Sequence, residues 1–338
     1  METDEQHSTD ERTVRALVQR SHLGPRDLTL TTGRPRPVPG PGEYLIRVGA
    51  AGVNFADVMQ TRGTYGGGPR APYVAGFEAA GEIVAVGEGV AEPFPPGTHV
   101  VGTGPGAFAQ YATVSAAGAL PVPDGWSDAE ALGLVLNWAT ALAALKPLGG
   151  IRSGETVLVH AAAGGVGQAA VRLARHYGAR VVATASPAKH DTVRALGADE
   201  VLDGRRSDLA AEVTRLTGGV DLVLESVGRA TFATSLAVTK PFTGRVVVFG
   251  AASGDATLTT HDLVFTHPVQ VKGLHIGALA AAVPSLYRSL IAELGTLIAD
   301  GVYPPGTPVV HPLADGPAVL ESLEAGRTSG KHALDPWR

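Results

Sequence analysis

The sequence lacks cysteine altogether and is poor in aromatic residues. Its 338 residues contain no cysteine, which excludes disulfides, thiolate nucleophiles and cysteine metal ligands. Aromatic residues make up 5%, whereas there are 44 glycines and 24 prolines, a balance that favours tight turns and close backbone approaches. Hydrophobic residues reach 44%, enough for substantial cores, and a chain of this length predicts two domains.

Basic charge is not in excess, and we find no long apolar run. The net charge of −5 gives no electrostatic footprint for nucleic acid. No run of apolar residues approaches the roughly 20 that cross a bilayer. Residues 1–12 (METDEQHSTDER) are polar and lack the apolar core of a signal peptide, so we expect a frayed tail there. These features predict a cytoplasmic protein with neither a nucleic-acid nor a membrane partner.

Two textures alternate along the chain. Residues 14–130 contain short strands, such as 43–48, 81–86 and 99–102, separated by Gly and Pro, which is typical of a barrel-like β unit. Further on, strands alternate with helices, which predicts βαβ units and a parallel sheet. The strands are expected at 156–160, 180–185, 222–225, 245–250 and 269–274, and the helices at 129–145 (capped by Asp128), 165–177 and 283–300. We predict a first domain in two segments, 1–129 and 276–338, with a second domain, 130–275, inserted between them.

A glycine-rich turn gives the sharpest local signal. An apolar strand runs into AAAGGVG (161–167), then a helix, then a second apolar strand, which predicts a dinucleotide site. The glycines allow backbone N–H groups to approach a pyrophosphate, and the helix N-terminus adds partial positive charge. Ala162 replaces the first glycine of the usual motif. The predicted pyrophosphate residues are Ala163, Gly164, Gly165, Val166 and Gly167.

The end of the second strand indicates which dinucleotide binds. NAD sites usually place a carboxylate there, but this strand closes with ATAS (183–186), and Ser186 and Lys189 follow. A hydroxyl and an ammonium suit a 2′-phosphate, so we predict NADPH as the cofactor. Two alternatives stay open: Lys189 as an ordinary solvated helix residue, and Asp191 as a nearby charge that weakens an anion site.

Five stretches of the chain resemble the medium-chain dehydrogenase/reductase superfamily. They are AAGVNFADVMQTRGTYG (50–66), GFEAAGEIVAVGEGV (76–90), NWATALAAL (137–145), HAAAGGVGQAA (160–170) and AGRTSGKHAL (325–334). The nearest branch is the zinc-independent quinone oxidoreductases, which include zeta-crystallin. The resemblance implies an α/β fold in which a partly open, GroES-like β-barrel carries an inserted Rossmann domain, with nicotinamide and substrate in the cleft between them.

The resemblance also implies roles for individual residues. Asn54 and Tyr65 match catalytic positions, Asn54 and Thr140 would lie near the nicotinamide, and Lys331 would approach the cofactor from the tail. Gly250 and Ala251 would present backbone groups to the carboxamide. No metal is expected, because the positions of the catalytic zinc ligands hold Asn54, Phe77 and Leu136. His160 is expected to be a packing residue.

Without zinc, hydride delivery to an already electron-poor acceptor is the easier reaction. The first interpretation is therefore an NADPH-dependent reductase of quinones or other activated α,β-unsaturated carbonyls. The alternative is a reductase of enoyl thioesters, carried on CoA or a carrier protein, with Tyr65 near the enolate and a basic rim drawn from Arg62, Arg70 and Lys272. A third reading is a non-catalytic NADPH-binding protein. The resemblance further suggests a homodimer through an edge strand at 269–276.

Overall fold

The structure, a computed structural model, describes residues 13–338. The tail predicted at 1–12 lies outside these residues. The chain divides into two compact units: the first comprises the residues up to Leu136 together with Pro305–Arg338, and the second is Asn137–Pro304. The second unit is therefore inserted between the two segments of the first, which is the order of domains that the sequence predicts.

The boundaries of the second unit differ from the prediction of 130–275. The chain passes from the second unit back to the first at Pro304, so the helices at 276–299 belong to the inserted unit. Hydrogen bonds from Lys146 and Tyr177 to Glu293 tie the longer of these helices to the rest of that unit. Trp138 and Tyr303 stack at 3.7 Å between ring centroids, which fastens its first residues to its last.

The first unit is rich in strands. A three-stranded sheet has the order β2-β1-β4, and a seven-stranded sheet has the order β15-β16-β3-β5-β6-β8, with β7 also pairing with β3. The strands are β1 (Thr13–Gln19), β2 (Leu28–Pro35), β3 (Glu43–Val53), β4 (Tyr73–Val74), β5 (Glu78–Val86), β6 (His99–Thr103), β7 (Tyr111–Ser115), β8 (Leu120–Pro121), β15 (Val309–Pro312) and β16 (His332–Asp335). Apolar residues of these strands, such as Leu17, Ile46 and Ile83, form one core with Phe108 of the segment between β6 and β7.

The second unit is built on a six-stranded sheet in which every pairing is parallel. Its order is β11-β10-β9-β12-β13-β14, the doubly wound arrangement of dinucleotide-binding domains. The strands are β9 (Thr156–Val159), β10 (Arg180–Thr184), β11 (Glu200–Leu202), β12 (Leu222–Glu225), β13 (Arg245–Val248) and β14 (Gln270–Gly273). They read as short apolar runs because helices cover both faces of a parallel sheet.

The described residues contain ten α-helices, and five of them come next in the chain after strands β9, β10, β11, β12 and β14 of the parallel sheet. They are α1 (Phe55–Thr61), α2 (Asp128–Ala131), α3 (Ala139–Ala143), α4 (Gly165–His176), α5 (His190–Ala195), α6 (Leu209–Thr217), α7 (Phe232–Val238), α8 (Ile276–Ala282), α9 (Pro284–Ala299) and α10 (Gly316–Glu324). The apolar face of α4 is buried through Val171, Leu173 and Ala174, while Arg172 and Arg175 lie on its outer side.

The apolar segment after residue 126 corrects two predictions. Ser127, not Asp128, caps α2: Ser127 accepts from the Glu130 N–H, and the Glu130 carboxylate accepts from the Ser127 N–H at 2.7 Å. The predicted single helix 129–145 is interrupted at Leu132, and π-helical turns flank α3. By length and composition Asp128–Leu148 could cross a membrane, contrary to the expectation that no run is long enough. However, 72% of its most apolar window is buried, as in a core helix.

Candidate functional site

Asn54 stands at the junction of β3 and α1 in the first unit. Strand β3 ends at Val53, and Asn54 caps the helix with an extended backbone. The carboxylate of Asp57, three residues on, accepts from the Asn54 N–H at 2.8 Å, which satisfies a donor that the first helical turn leaves over. The cap therefore fixes both residues at the end of the strand.

The Asn54 amide is held by a buried ion pair. Its Nδ2 donates to Oε2 of Glu78 at 2.9 Å, and its Oδ1 accepts from Nζ of Lys331 at 2.8 Å. Lys331 also donates to Glu78 Oε2, and the Gly133 N–H donates to Oε1 at 2.6 Å. The structure thus brings the predicted Asn54 and Lys331 together around Glu78, a buried carboxylate that sequence reasoning missed.

The fit of this pair requires a glycine on the neighbouring strand. A Cβ on Gly52 would lie 2.3 Å from Oε2 of Glu78 and 3.2 Å from Cε of Lys331. Strand β16, which begins one residue after Lys331, pairs with β3 directly beside Gly52. The sequence signal for this ion pair is the glutamate in the apolar run GFEAAGE, because a carboxylate that is buried in such a strand needs a charged partner.

Asp57 is a second buried carboxyl group in this cluster. Loss of hydration raises its pKa from 3.8 to about 8, although the Asn54 N–H and the charge of Lys331 oppose the shift and Glu78 adds to it. Its Oδ1 is buried without a hydrogen-bond partner. The folded protein therefore holds a proton on Asp57 at pH values at which the unfolded chain has released it.

Because the folded protein holds this proton, the free energy of unfolding is expected to fall as pH rises. Because the folded pKa is about 8 and the ordinary value is 3.8, the contribution of Asp57 is fully present below pH 3.8 and is lost as pH rises to about 8. Between these values the free energy of unfolding should fall by up to about 1.4 kcal/mol per pH unit relative to Asp57→Asn, which does not titrate. Urea unfolding of both proteins from pH 5 to 8.5 measures the difference, with exposed Asp124→Asn as the control. Parallel curves for wild type and Asp57→Asn would contradict the assignment.

Tyr65 lies beside Phe77 in the same unit. The two ring centroids are 6.5 Å apart, and partial burial, together with the charge of Asp57, raises the pKa of the Tyr65 phenol. Tyr65 therefore stays protonated at neutral pH and can donate a hydrogen bond or a proton. Neither Phe77 nor Asn54 fits a zinc ion, because a phenyl ring has no donor atom and the Asn54 amide is engaged with Glu78 and Lys331.

The glycine turn of the second unit joins β9 to α4. Ala161 adopts a positive φ of 49°, which an L-residue rarely adopts outside tight turns. Gly167 lets α4 pass close to the turn, since a Cβ there would lie 2.4 Å from the Ala161 carbonyl oxygen. The Ala162 N–H donates to the Thr184 carbonyl at 2.9 Å, which ties the turn to β10. The predicted residues 163–167 therefore occupy the turn and the first residues of α4, where N–H groups and the helix dipole suit an anion.

Thr140 is buried on α3, within the same unit as the turn. Near it in sequence, Asn137 comes close to the first residue of α4: a Cβ on Gly165 would lie 3.0 Å from Asn137 Oδ1. The NWATALAAL stretch thus packs against the start of α4 through its asparagine.

Two cations lie near the end of β10. Ser186 and Lys189 follow that strand, as predicted, and burial together with the charge of Arg205 lowers the pKa of Lys189. Arg205, from the loop after β11, was missed by sequence reasoning because its contribution depends on the parallel pairing of β10 with β11. Asp191 instead pairs with Arg194 at 2.9 Å, so its charge is compensated by its own helix.

Gly250 and Ala251 follow β13, which ends at Val248, two residues earlier than predicted. A Cβ on Gly250 would lie 2.7 Å from the Ser226 carbonyl oxygen, and one on Gly228 would lie 2.4 Å from the Gly254 oxygen. The loops after β12 and β13 are therefore packed against each other at the carboxyl ends of parallel strands, where dinucleotides bind in such sheets.

The basic rim considered for a thioester substrate is only partly present. Arg62 is bound to Glu324 through two hydrogen bonds of 2.8 and 2.9 Å, and it also donates to the Leu23 carbonyl. Lys272 donates to the Leu148 carbonyl at 2.7 Å. Arg62 and Lys272 thus have partners within their own units, although Arg62, like Arg70, is exposed and Lys272 is partly buried.

Two family models match the chain. Residues 40–124 match the alcohol dehydrogenase GroES-like domain, and residues 165–294 match a model described as zinc-binding dehydrogenase. The chain is 31% identical to the human synaptic vesicle membrane protein VAT-1 homolog, over 89% of this chain and 80% of that protein. It is also 44% identical to erythronolide synthase EryA2 of Saccharopolyspora erythraea over 61% of this chain, but spans only 6% of that synthase.

Three solved structures superpose closely on the chain. A mycobacterial protein in complex with NADPH superposes with a TM-score of 0.89 at 34% identity, over 96% of this chain and 100% of that one. Escherichia coli quinone oxidoreductase in complex with NADPH gives 0.87 at 30% identity, over 95% and 100%. The CurK enoyl reductase gives 0.85 at 30% identity, over 96% and 99%. Both units are therefore similar to proteins that bind NADPH.

Proposed function

This chain belongs to the zinc-independent quinone oxidoreductase branch of the medium-chain dehydrogenase/reductase superfamily, and on that premise we propose that it is an NADPH-dependent reductase of quinones or other activated α,β-unsaturated carbonyls. The observation that carries the proposal is the end of β10, where Ser186 and Lys189 follow the strand in place of the carboxylate of an NAD site and Arg205, from the loop after β11, is close enough to lower the pKa of Lys189. NADPH oxidation followed at 340 nm against such acceptors tests it.

The residues of the second unit fit a dinucleotide phosphate. The turn at 163–167 would hold the pyrophosphate, and Ser186, Lys189 and Arg205 the 2′-phosphate. Bound NADPH supplies a hydride, so the protein itself needs to orient the acceptor and stabilise the charge that develops on its oxygen. Contacts of the nicotinamide half with Asn54, Thr140, Gly250, Ala251 and Lys331 are proposed from the family resemblance.

Tyr65 is the residue that we propose as proton or hydrogen-bond donor to the enolate oxygen. A general acid contributes roughly 100-fold or more to turnover, so Tyr65→Phe should lower kcat by about that factor on α,β-unsaturated carbonyls. Tyr73→Phe is the matched control, because the Tyr73 hydroxyl is buried in the same unit without a hydrogen-bond partner. Unchanged turnover of Tyr65→Phe on every accepted substrate would remove the acid role.

Reduction of enoyl thioesters is the second candidate. It is favoured by the likeness to the CurK enoyl reductase and to a segment of polyketide synthases. The contacts of Arg62 with Glu324 and of Lys272 with the Leu148 carbonyl weaken it, because binding a phosphate-bearing carrier would have to compete with them. Turnover confined to enoyl thioesters would establish this alternative, whereas tight NADPH binding without any turnover would support a non-catalytic binding protein.

We further propose that the chain forms a homodimer and works in the cytoplasm. Within residues 13–338, strand β14 is the last strand at one side of its sheet and pairs with β13. Phe242, Val264 and Phe265 have exposed apolar side chains and lie close to β14 in sequence. The backbone carbonyl of Phe242 accepts a hydrogen bond from the Gln270 side chain of β14. Sedimentation that finds monomer alone would contradict the dimer.

A further inference from the structure

Five buried polar side chains form a connected set at the carboxyl ends of β9, β10 and β12. They are His160, Thr184, Glu225, Thr231 and Ser235. Burying polar groups in a protein core costs free energy unless each is hydrogen-bonded. These five satisfy one another, together with two backbone N–H groups, so the set is a built feature of the second unit and extends the expectation that His160 merely packs.

His160 links two elements of the sheet region. Its Nδ1 is 3.0 Å from Oγ1 of Thr184, and its Nε2 is 3.1 Å from Oγ of Ser235. The Ser235 hydroxyl donates a hydrogen bond to Glu225, so the Ser235 oxygen can accept one from Nε2–H of His160. Nδ1 of His160 then carries no hydrogen and accepts from the Thr184 hydroxyl. Burial lowers the pKa of His160 against the opposing charge of Glu225, which agrees with this neutral form.

Glu225 is the centre of the set. Its Oε2 accepts from Ser235 at 2.5 Å, and both of its oxygens accept from Thr231 Oγ1, at 2.8 and 2.9 Å. Its Oε1 also accepts from the backbone N–H groups of Val227 and Gly228, at 2.7 and 3.0 Å. A single carboxylate therefore fixes the path of the chain as it leaves β12.

The five buried side chains lie in, or are hydrogen-bonded to, the ends of the segments that are expected to contact the dinucleotide. His160 immediately precedes the glycine turn, and Thr184 precedes the segment that carries Ser186 and Lys189. Gly228, held by Glu225, packs against the loop of Ala251 and Gly254 at distances that exclude a Cβ. One network thus connects the expected pyrophosphate, 2′-phosphate and carboxamide segments.

We propose that His160, Ser235 and Glu225 are positioning residues that set the affinity for the dinucleotide by holding these segments in register, an inference that rests on the proposed cofactor. None of the three is proposed to touch the ligand. Their effect is therefore expected on the binding of NADPH and NADH alike, unlike that of Lys189 and Arg205, which distinguish the two. Turnover of the saturated enzyme should change little.

Two substitutions test separately the hydroxyl of Ser235 and the length of the Glu225 side chain. Ser235→Ala removes the hydroxyl that joins His160 to Glu225, and Glu225→Asp keeps the charge but shortens its reach. Each should weaken NADPH and NADH binding by about tenfold, because the segments that bind the dinucleotide are then less firmly held in the arrangement that binds it. Dissociation constants are read from the fluorescence of bound dinucleotide, and kcat is measured at saturation. Ser289→Ala, on the exposed side of α9, is the matched control.

The outcomes separate positioning from simple packing. Urea unfolding reports stability, and binding is measured at a temperature at which every variant is folded. Unchanged dissociation constants with reduced stability would overturn the proposal and leave a purely structural network. Weakened binding of both dinucleotides at an unchanged NADPH-to-NADH ratio supports it. A wild type that binds both dinucleotides but reduces no acceptor would remove the proposed reductase and not this inference, whereas a wild type that binds neither would overturn both.

Discussion

Replacing Lys331 by methionine is expected to lower the free energy of unfolding by about 3–5 kcal/mol, the cost of leaving a buried charge without its partner. The side chain is 11% exposed and lies against a Glu78 side chain with no exposed surface. Methionine keeps most of the length and apolar contact of lysine, so the change isolates the ammonium. Urea unfolding at pH 7 measures the difference.

Removing both charges should restore much of this loss. The double variant Lys331→Met/Glu78→Gln has neither charge of this pair, and we expect it to be more stable than Lys331→Met alone. Arg26→Met is the control for a surface ion pair in the same unit, because Arg26 is 89% exposed and its bond to Glu321 should contribute less than about 1 kcal/mol. Equal losses for Lys331→Met and Arg26→Met would show that Glu78 does not depend on Lys331.

The second large effect concerns the choice of cofactor. Lys189→Ala and Arg205→Ala should each raise the KM for NADPH by about tenfold, as expected for one charge-assisted contact, and the double variant by more. The KM for NADH should stay nearly unchanged, because NADH carries no 2′-phosphate. Initial rates with both cofactors, at a saturating acceptor, give the ratio for each variant.

The control for this experiment is another cation of the same sheet region. Arg215 is exposed and paired with Glu212 on α6, so Arg215→Ala should change neither KM. An unchanged cofactor ratio in Lys189→Ala would leave that side chain as an ordinary solvated residue, which is one of the readings that the sequence permits. A fall in NADH binding equal to that of NADPH would show a general disturbance of the fold.

Most of the fold was predictable because its signals are local. The alternation of apolar strands with helices predicted the parallel sheet, and the spacing around 161–167 predicted the strand, turn and helix that the structure contains. The far boundary at Pro304 was not predictable, since it depends on stacking between Trp138 and Tyr303, residues far apart in sequence. Asp128 was predicted as the cap although Ser127 holds that position, because both residue types suit a helix N-terminus.

The site was predictable only where residues act through their own neighbours in sequence. The glycine turn and Lys189 follow single strands, so pattern alone predicted their place. Glu78 and Arg205 act through residues next to other strands, and contacts of that kind are set by the sheet order. Glu225 binds Thr231 and Ser235 of the segment that follows its own strand, and these bonds depend on how α7 packs against the sheet. A charged residue inside an apolar strand, as in LVLE (222–225), is the signal that could have drawn attention to two of them.

The central claim is tested most directly by NADPH oxidation at 340 nm with the purified chain against a panel of quinones, enones and enoyl thioesters, with NADH as the second cofactor. We expect turnover of quinones or enones with a marked preference for NADPH, and loss of that preference in the Lys189→Ala/Arg205→Ala variant. Equal or greater activity with NADH, or no turnover of any acceptor despite tight NADPH binding, would contradict it.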